Sequence, residues 1–105
     1  MTQKGLKNLF RKYNLKYFGG ELPTPELYLV PRLNDEGKPL CGSTTKVDEK
    51  FMIEISTGML VCLEKLTLIH EMTHMKLWPN TSHRTKAWRK EIDRIASMGF
   101  LREIF

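Results

Sequence analysis

The order of elements legible in this chain is a helix, three strands and two helices, which predicts an α+β domain. Three observations carry that reading. Apolar residues recur at helical spacing over 3–17, short runs bounded by Pro and Gly follow between 26 and 56, and helical spacing returns from 57 to 97. With 105 residues the chain suits a single domain, 1–105. A hydrophobic share of 41% beside 28% charged residues marks a folded globular protein rather than a disordered one.

The first helix places Leu6, Leu9, Phe10, Tyr13 and Tyr17 on one face with basic residues between them. Gly19 and Gly20 stop it, and Pro23 and Pro25 hold the chain extended. "ELYLVP" (26–31), short, apolar and closed by proline, reads as a strand. "RLNDEGKP" (32–39) reads as a turn. "LCGSTTKV" (40–47) reads as a polar edge strand, and "FMIEIS" (51–56) alternates, with Phe51, Ile53 and Ile55 facing one way. These two strands predict an antiparallel hairpin.

From Thr57 to Trp78 the period becomes 3.6. Met59, Leu63, Leu66, His70, Thr73 and Leu77 form one stripe, which predicts a helix buried along that face. Ser56 or Thr57 is the expected cap, and Pro79 ends the helix near Trp78. After "PNTS", Ser82 is the expected cap of a last helix over about 84–97 that stops at Gly99, with Met98 read as core.

No apolar run approaches the roughly 18 residues needed to span a bilayer. The N-terminal stretch is charged through its middle and does not read as a signal peptide, so a cytoplasmic monomer is expected. Cys41 and Cys62 are too few and too far apart for a disulfide framework or a zinc ribbon. Seventeen Lys and Arg against twelve acids give a net charge of +5, with Lys4, Lys7 and Arg11 on one side of the first helix and Arg84, Lys86, Arg89, Lys90 and Arg94 crowding the last. Two solvated helix faces are the simplest account. The same faces also suit contact with DNA.

All three histidines, His70, His74 and His83, lie within "TLIHEMTHMKLWPNTSHRTKAW" (67–88). His70 and His74 bracket Glu71 in the pattern H-E-x-x-H. Residues four apart on a helix differ by about 40° around the axis and about 6 Å along it, so two imidazoles can converge on one ion. Glu71 falls beside that ion, suited to hold its water without ligating the metal, which is the signature of a zinc metalloprotease. A catalytic zinc usually takes three protein ligands and keeps one position open. His83 is the obvious third, and Glu91, an acid on the apolar side of the last helix, is the rival. Glu91 is a candidate ligand, a candidate acceptor orienting an imidazole from behind, or an acid paired with Lys or Arg. Leu77 and Asn80 occupy the places where a metzincin needs Gly and His, so that class is excluded.

Several segments together resemble the SprT-like metallopeptidases, the family that includes Spartan. "LIHEMTHMKLW" is similar to their zinc helix, "YNLKYFGGELPTPELYLV" to the segment leading into their first strand, "LCGSTTKVDEKFMIEIS" to their hairpin and "HRTKAWRKEIDRIASMGF" to their closing helix. Arg84 stands where the family commonly has glycine, and Trp88 comes one place later than its usual aromatic. The resemblance implies a minimal zincin-like domain: His70, His74 and His83 ligate one Zn2+ ion and Glu71 is the catalytic base. It implies a zinc-dependent endopeptidase acting on protein or peptide substrates. In zincins an extended substrate often pairs with an edge strand, a part that 40–47 can play. An oxyanion-stabilising group is expected from among Tyr13, Tyr17, Tyr28 and Arg84. The alternative is a non-catalytic, zinc-stabilised accessory module that binds nucleic acid or protein. An intact Glu71 argues for catalysis, since a structural site needs no base.

Overall fold

A computed structural model describes residues 1–31 and 33–104. Helix α1 (Gln3–Phe18) starts where Thr2 Oγ1 accepts from the Gly5 amide. It ends at Gly19, whose φ of 62° takes the left-handed conformation that glycine adopts without steric cost. Leu6, Phe10, Tyr13, Tyr17 and Phe18 form its buried face, while Leu9 is half-buried.

Strand β1 (Glu26–Val30) pairs in parallel with β5 (Lys50–Ser56), and β4 (Gly42–Val47) pairs antiparallel with the other side of β5. The order β1-β5-β4 makes a mixed three-stranded sheet with β4 at its edge, as the hairpin reading expects. Phe51, Ile53 and Ile55 point into the core. The segment read as a simple turn holds more structure. Asn34–Asp35 (β2) and Lys38–Pro39 (β3) form a two-stranded ribbon around Glu36 and Gly37, both at positive φ. Arg32, included in that reading, lies outside the described residues.

Helix α2 runs Val61–Leu77, not from Thr57. The expected caps are occupied elsewhere: the Ser56 amide donates to Cys41 O at 2.8 Å and the Thr57 amide to Val30 O at 3.1 Å, tying both to the sheet. Gly58, at φ 90°, turns the chain, and Leu60 takes the N-cap place with no side-chain cap. The buried face also differs from the expected stripe. Leu68, Ile69, Met72 and Met75 join the core, together with Thr73, while Leu63 and Leu66 are exposed. Helix α3 (Lys86–Ser97) is capped by Thr85 rather than Ser82: Thr85 Oγ1 accepts from the Trp88 amide, whereas Ser82 Oγ accepts from Arg84 in the turn before it. Gly99, at φ 87°, reverses the chain into a short helix, α4 (Phe100–Ile104). The last helix stops at Gly99 as expected, but no further element was expected, and Phe100 and Ile104, one turn apart, return to the core. Phe100 meets Tyr13 and Tyr17 edge to face at 5.4 and 5.3 Å between ring centroids. Met98, read as core, is exposed beside Arg94.

The molecule is a small α+β domain with four helices among the described residues. No helix there is long and apolar enough to cross a membrane.

Candidate metal centre

Helix α2 sends His70 and His74 out from adjacent turns, and the loop after Trp78 swings His83 back over them. His83 therefore arrives from the turn ahead of α3 rather than from the helix itself. The Nε2 atoms form a triangle: His70 to His83 is 3.1 Å, His70 to His74 is 3.2 Å and His74 to His83 is 2.8 Å. Nitrogens held about 2.0–2.1 Å from one tetrahedral zinc lie about 3.3 Å apart, so a slight opening of this triangle accommodates the ion. Among the described residues this is the one group of three or more His, Cys, Asp or Glu side chains close enough to share a cation.

Burial, with His74 and His83 alongside, pushes the His70 imidazole down to about 4, and burial followed by His83 lowers His74. Both rings are neutral near pH 7, the form that ligates metal. Trp88 backs the cluster, with its ring 4.9, 4.6 and 4.7 Å from those of His70, His74 and His83. It is buried, as a first-turn residue of α3 turned toward α2 would be.

Glu71 is 5% exposed and lies at the side of the triangle, along the wall formed by β4. Thr44 of β4 donates its hydroxyl to Glu71 Oε1 at 2.8 Å, with Glu71 O also within reach at 3.1 Å. Burial raises the Glu71 carboxyl to about 7, against the opposing effect of that hydrogen bond. Gly42 allows this approach. A Cβ there would stand 2.7 Å from Thr67 Cγ2 and 3.2 Å from Glu71 Cγ.

Glu91 sits apart from the cluster. One carboxylate oxygen takes Lys76 Nζ at 2.7 Å and the other takes Arg94. Burial resists its ionisation, but the two cations prevail and hold its carboxyl below the usual range. Of the three roles open to Glu91, the paired acid is the one this geometry displays. His74 Nδ1, the ring atom an orienting acceptor would engage, is buried with no partner among the described residues. The tyrosines also lie elsewhere. Tyr13 and Tyr17 are in the core, and Tyr28 lines a separate groove with Lys7, Arg11 and Lys50. Arg84 is exposed next to His83. On the basic faces, Lys4, Lys7, Arg11, Lys86, Arg89 and Lys90 are exposed, whereas Arg94 is engaged by Glu91 and the Tyr17 carbonyl.

The triangle opens into a cleft of about 500 Å3 between α2 and the stretch leading through β4. The fold and site thus define an α+β domain with a three-histidine group able to hold a metal. No family model, curated protein or solved structure matches the chain.

Proposed function

We propose that this chain is a zinc-dependent metalloendopeptidase, a minimal zincin-like domain of the SprT type, with His70, His74 and His83 holding one Zn2+ ion. The observation that carries the reading is the convergence of three Nε2 atoms within 3.2 Å, with a buried glutamate beside them in an open cleft. The donor set suits the group: three imidazoles leave a fourth position free for catalysis. When bound, zinc supplies a Lewis acid that polarises the scissile carbonyl and makes water acidic near neutral pH.

The chain's own residues do the rest. Thr44 engages Glu71 Oε1, and Oε2, with no hydrogen-bond partner among the described residues, would accept a proton from the attacking water. Glu71 takes that proton and returns it to the departing amine nitrogen as the C–N bond breaks. β4, unpaired on its outer side among the described residues, offers main-chain groups to an extended peptide. Proline substitutions in 42–47 at outward-facing amides are expected to impair cleavage, and intact cleavage would remove that role.

The test is metal analysis joined to a peptidase assay. Wild type and Glu91→Ala are expected to bind about one zinc per chain, and His83→Ala to bind it far more weakly. Glu71→Gln is expected to keep zinc and lose hydrolysis by about 10²–10⁴-fold. A zinc-loaded wild type that cleaves no peptide would overturn the proposal.

A further inference from the structure

Helix α2 carries two apolar stripes, and the fold covers only one. Leu68 and Met72 are 0% exposed, whereas Leu63 and Leu66 are 41% and 37% exposed. At about 100° per residue, Leu63 lies within about 20° of His70 around the helix and Leu66 within about 40°. The uncovered stripe therefore runs along the helix into the three-histidine group. Leu66 lines the cleft together with Leu40, Trp78 and small uncharged residues such as Ser43 and Thr81. Among the described residues, no lysine, arginine or aspartate lines it.

We infer that the cleft seats an extended peptide segment carrying a bulky apolar side chain next to the scissile bond, laid over Leu66 with Leu40 and Leu63 flanking it. The inference rests on the peptidase reading above and assigns its substrate class. An apolar strip continuous with the reacting centre is covered by whatever reaches that centre. The outer side of β4, unpaired among the described residues and running along the same cleft, favours an extended chain over a compact partner. Burying Leu, Ile, Met or Phe there removes apolar surface from water on both sides. A Lys or Glu side chain laid over Leu66 is desolvated against apolar neighbours, Leu66 and Leu40 offering it no polar partner.

Two arms test the seat separately from the chemistry. In the first, zinc-loaded Glu71→Gln, which holds peptide without turnover, is titrated with fluorescein-labelled decapeptides of Gly, Ser and Ala bearing a central Leu or a central Glu. The Leu peptide is expected to bind at least about tenfold more tightly. Adding Leu66→Asp, or separately Leu63→Lys, brings the two affinities together. Both sites are exposed, and circular dichroism confirms the fold. In the second arm, wild type digests a randomised peptide mixture and mass spectrometry reads residues flanking the cuts, where apolar enrichment is expected. Equal affinities for the two peptides, or a ratio that neither variant moves, overturns the apolar seat. Cleavage without apolar enrichment overturns it too and leaves the peptidase reading standing. Leu-selective binding without any cleavage sinks the peptidase reading alone.

Discussion

Glu71 owes its position to the neighbouring strand as much as to its own helix. Thr44 holds one carboxylate oxygen, and Gly42 leaves the space in which Glu71 and Thr67 pack against β4. Thr44→Val keeps the volume but removes the donor, so kcat is expected to fall about tenfold with zinc content and KM unchanged. Thr44→Ser should restore most of that loss. A fall that serine does not rescue would assign Thr44 to packing alone. Gly42→Ala forces a carbon into contact with Thr67, Glu71 and the Glu54 carbonyl at 2.7–3.2 Å. It is expected to cost about 1–3 kcal/mol in denaturant unfolding and to lower activity further than Thr44→Val. The convergence of the histidines was legible because helical spacing is a local property that places His70, Glu71 and His74 by arithmetic. Thr44 and Gly42 were not, since the α2 residues they meet are distant along the chain, Glu71 lying 27 residues from Thr44. One signal did exist: a glycine opening a β-branched strand run marks a close backbone approach.

Periodicity on α2 shows that an apolar stripe exists but not what covers it. The stripe through Leu63, Leu66 and His70 reads as core, and the structure turns it outward, with Leu66 and His70 on the cleft, while Leu68, Met72 and Met75 join the core. Both stripes satisfy the 3.6 spacing, and the choice between them is made by contact with β4 and β5, which no local pattern encodes. Caps failed for a similar reason. Ser56 and Thr57 have the right chemistry, but the sheet had already engaged their backbones. At α3 the cap is Thr85, so Thr85→Ala is expected to destabilise the protein by about 1 kcal/mol and Ser82→Ala by much less. Urea unfolding of the two variants decides this, and equal losses would contradict the assignment. Because Trp88 donates its amide to that cap and packs its ring on all three imidazoles, Thr85→Ala is also expected to weaken zinc affinity modestly.

At the scale of the whole molecule, the α+β order and the β4–β5 hairpin were readable because they depend on neighbours in sequence. The parallel pairing of β1 with β5 and the return of α4 were not, because both join distant segments. The closure of α4 onto α1 rests on Glu103, which takes Lys12 and Lys16 at 2.8 and 2.9 Å and accepts from the Tyr17 hydroxyl. Burial opposes its ionisation, but the hydrogen bonds from Lys12, Tyr17 and Lys16 outweigh it and bring the carboxyl from 4.5 down to about 2. The unfolded chain therefore binds the proton more readily than the folded one between those two values. Glu103 contributes its stability in full above about pH 4.5 and loses it as the pH falls toward 2. Metal-free wild type and Glu103→Gln, unfolded thermally in parallel, isolate this group from His70 and Glu71, which also titrate on acidification. The Tm gap between them is expected to be largest and level above pH 5, and to narrow steadily below 4.5. A gap that persists unchanged to pH 2 would mean that Glu103 holds α4 by packing rather than by charge.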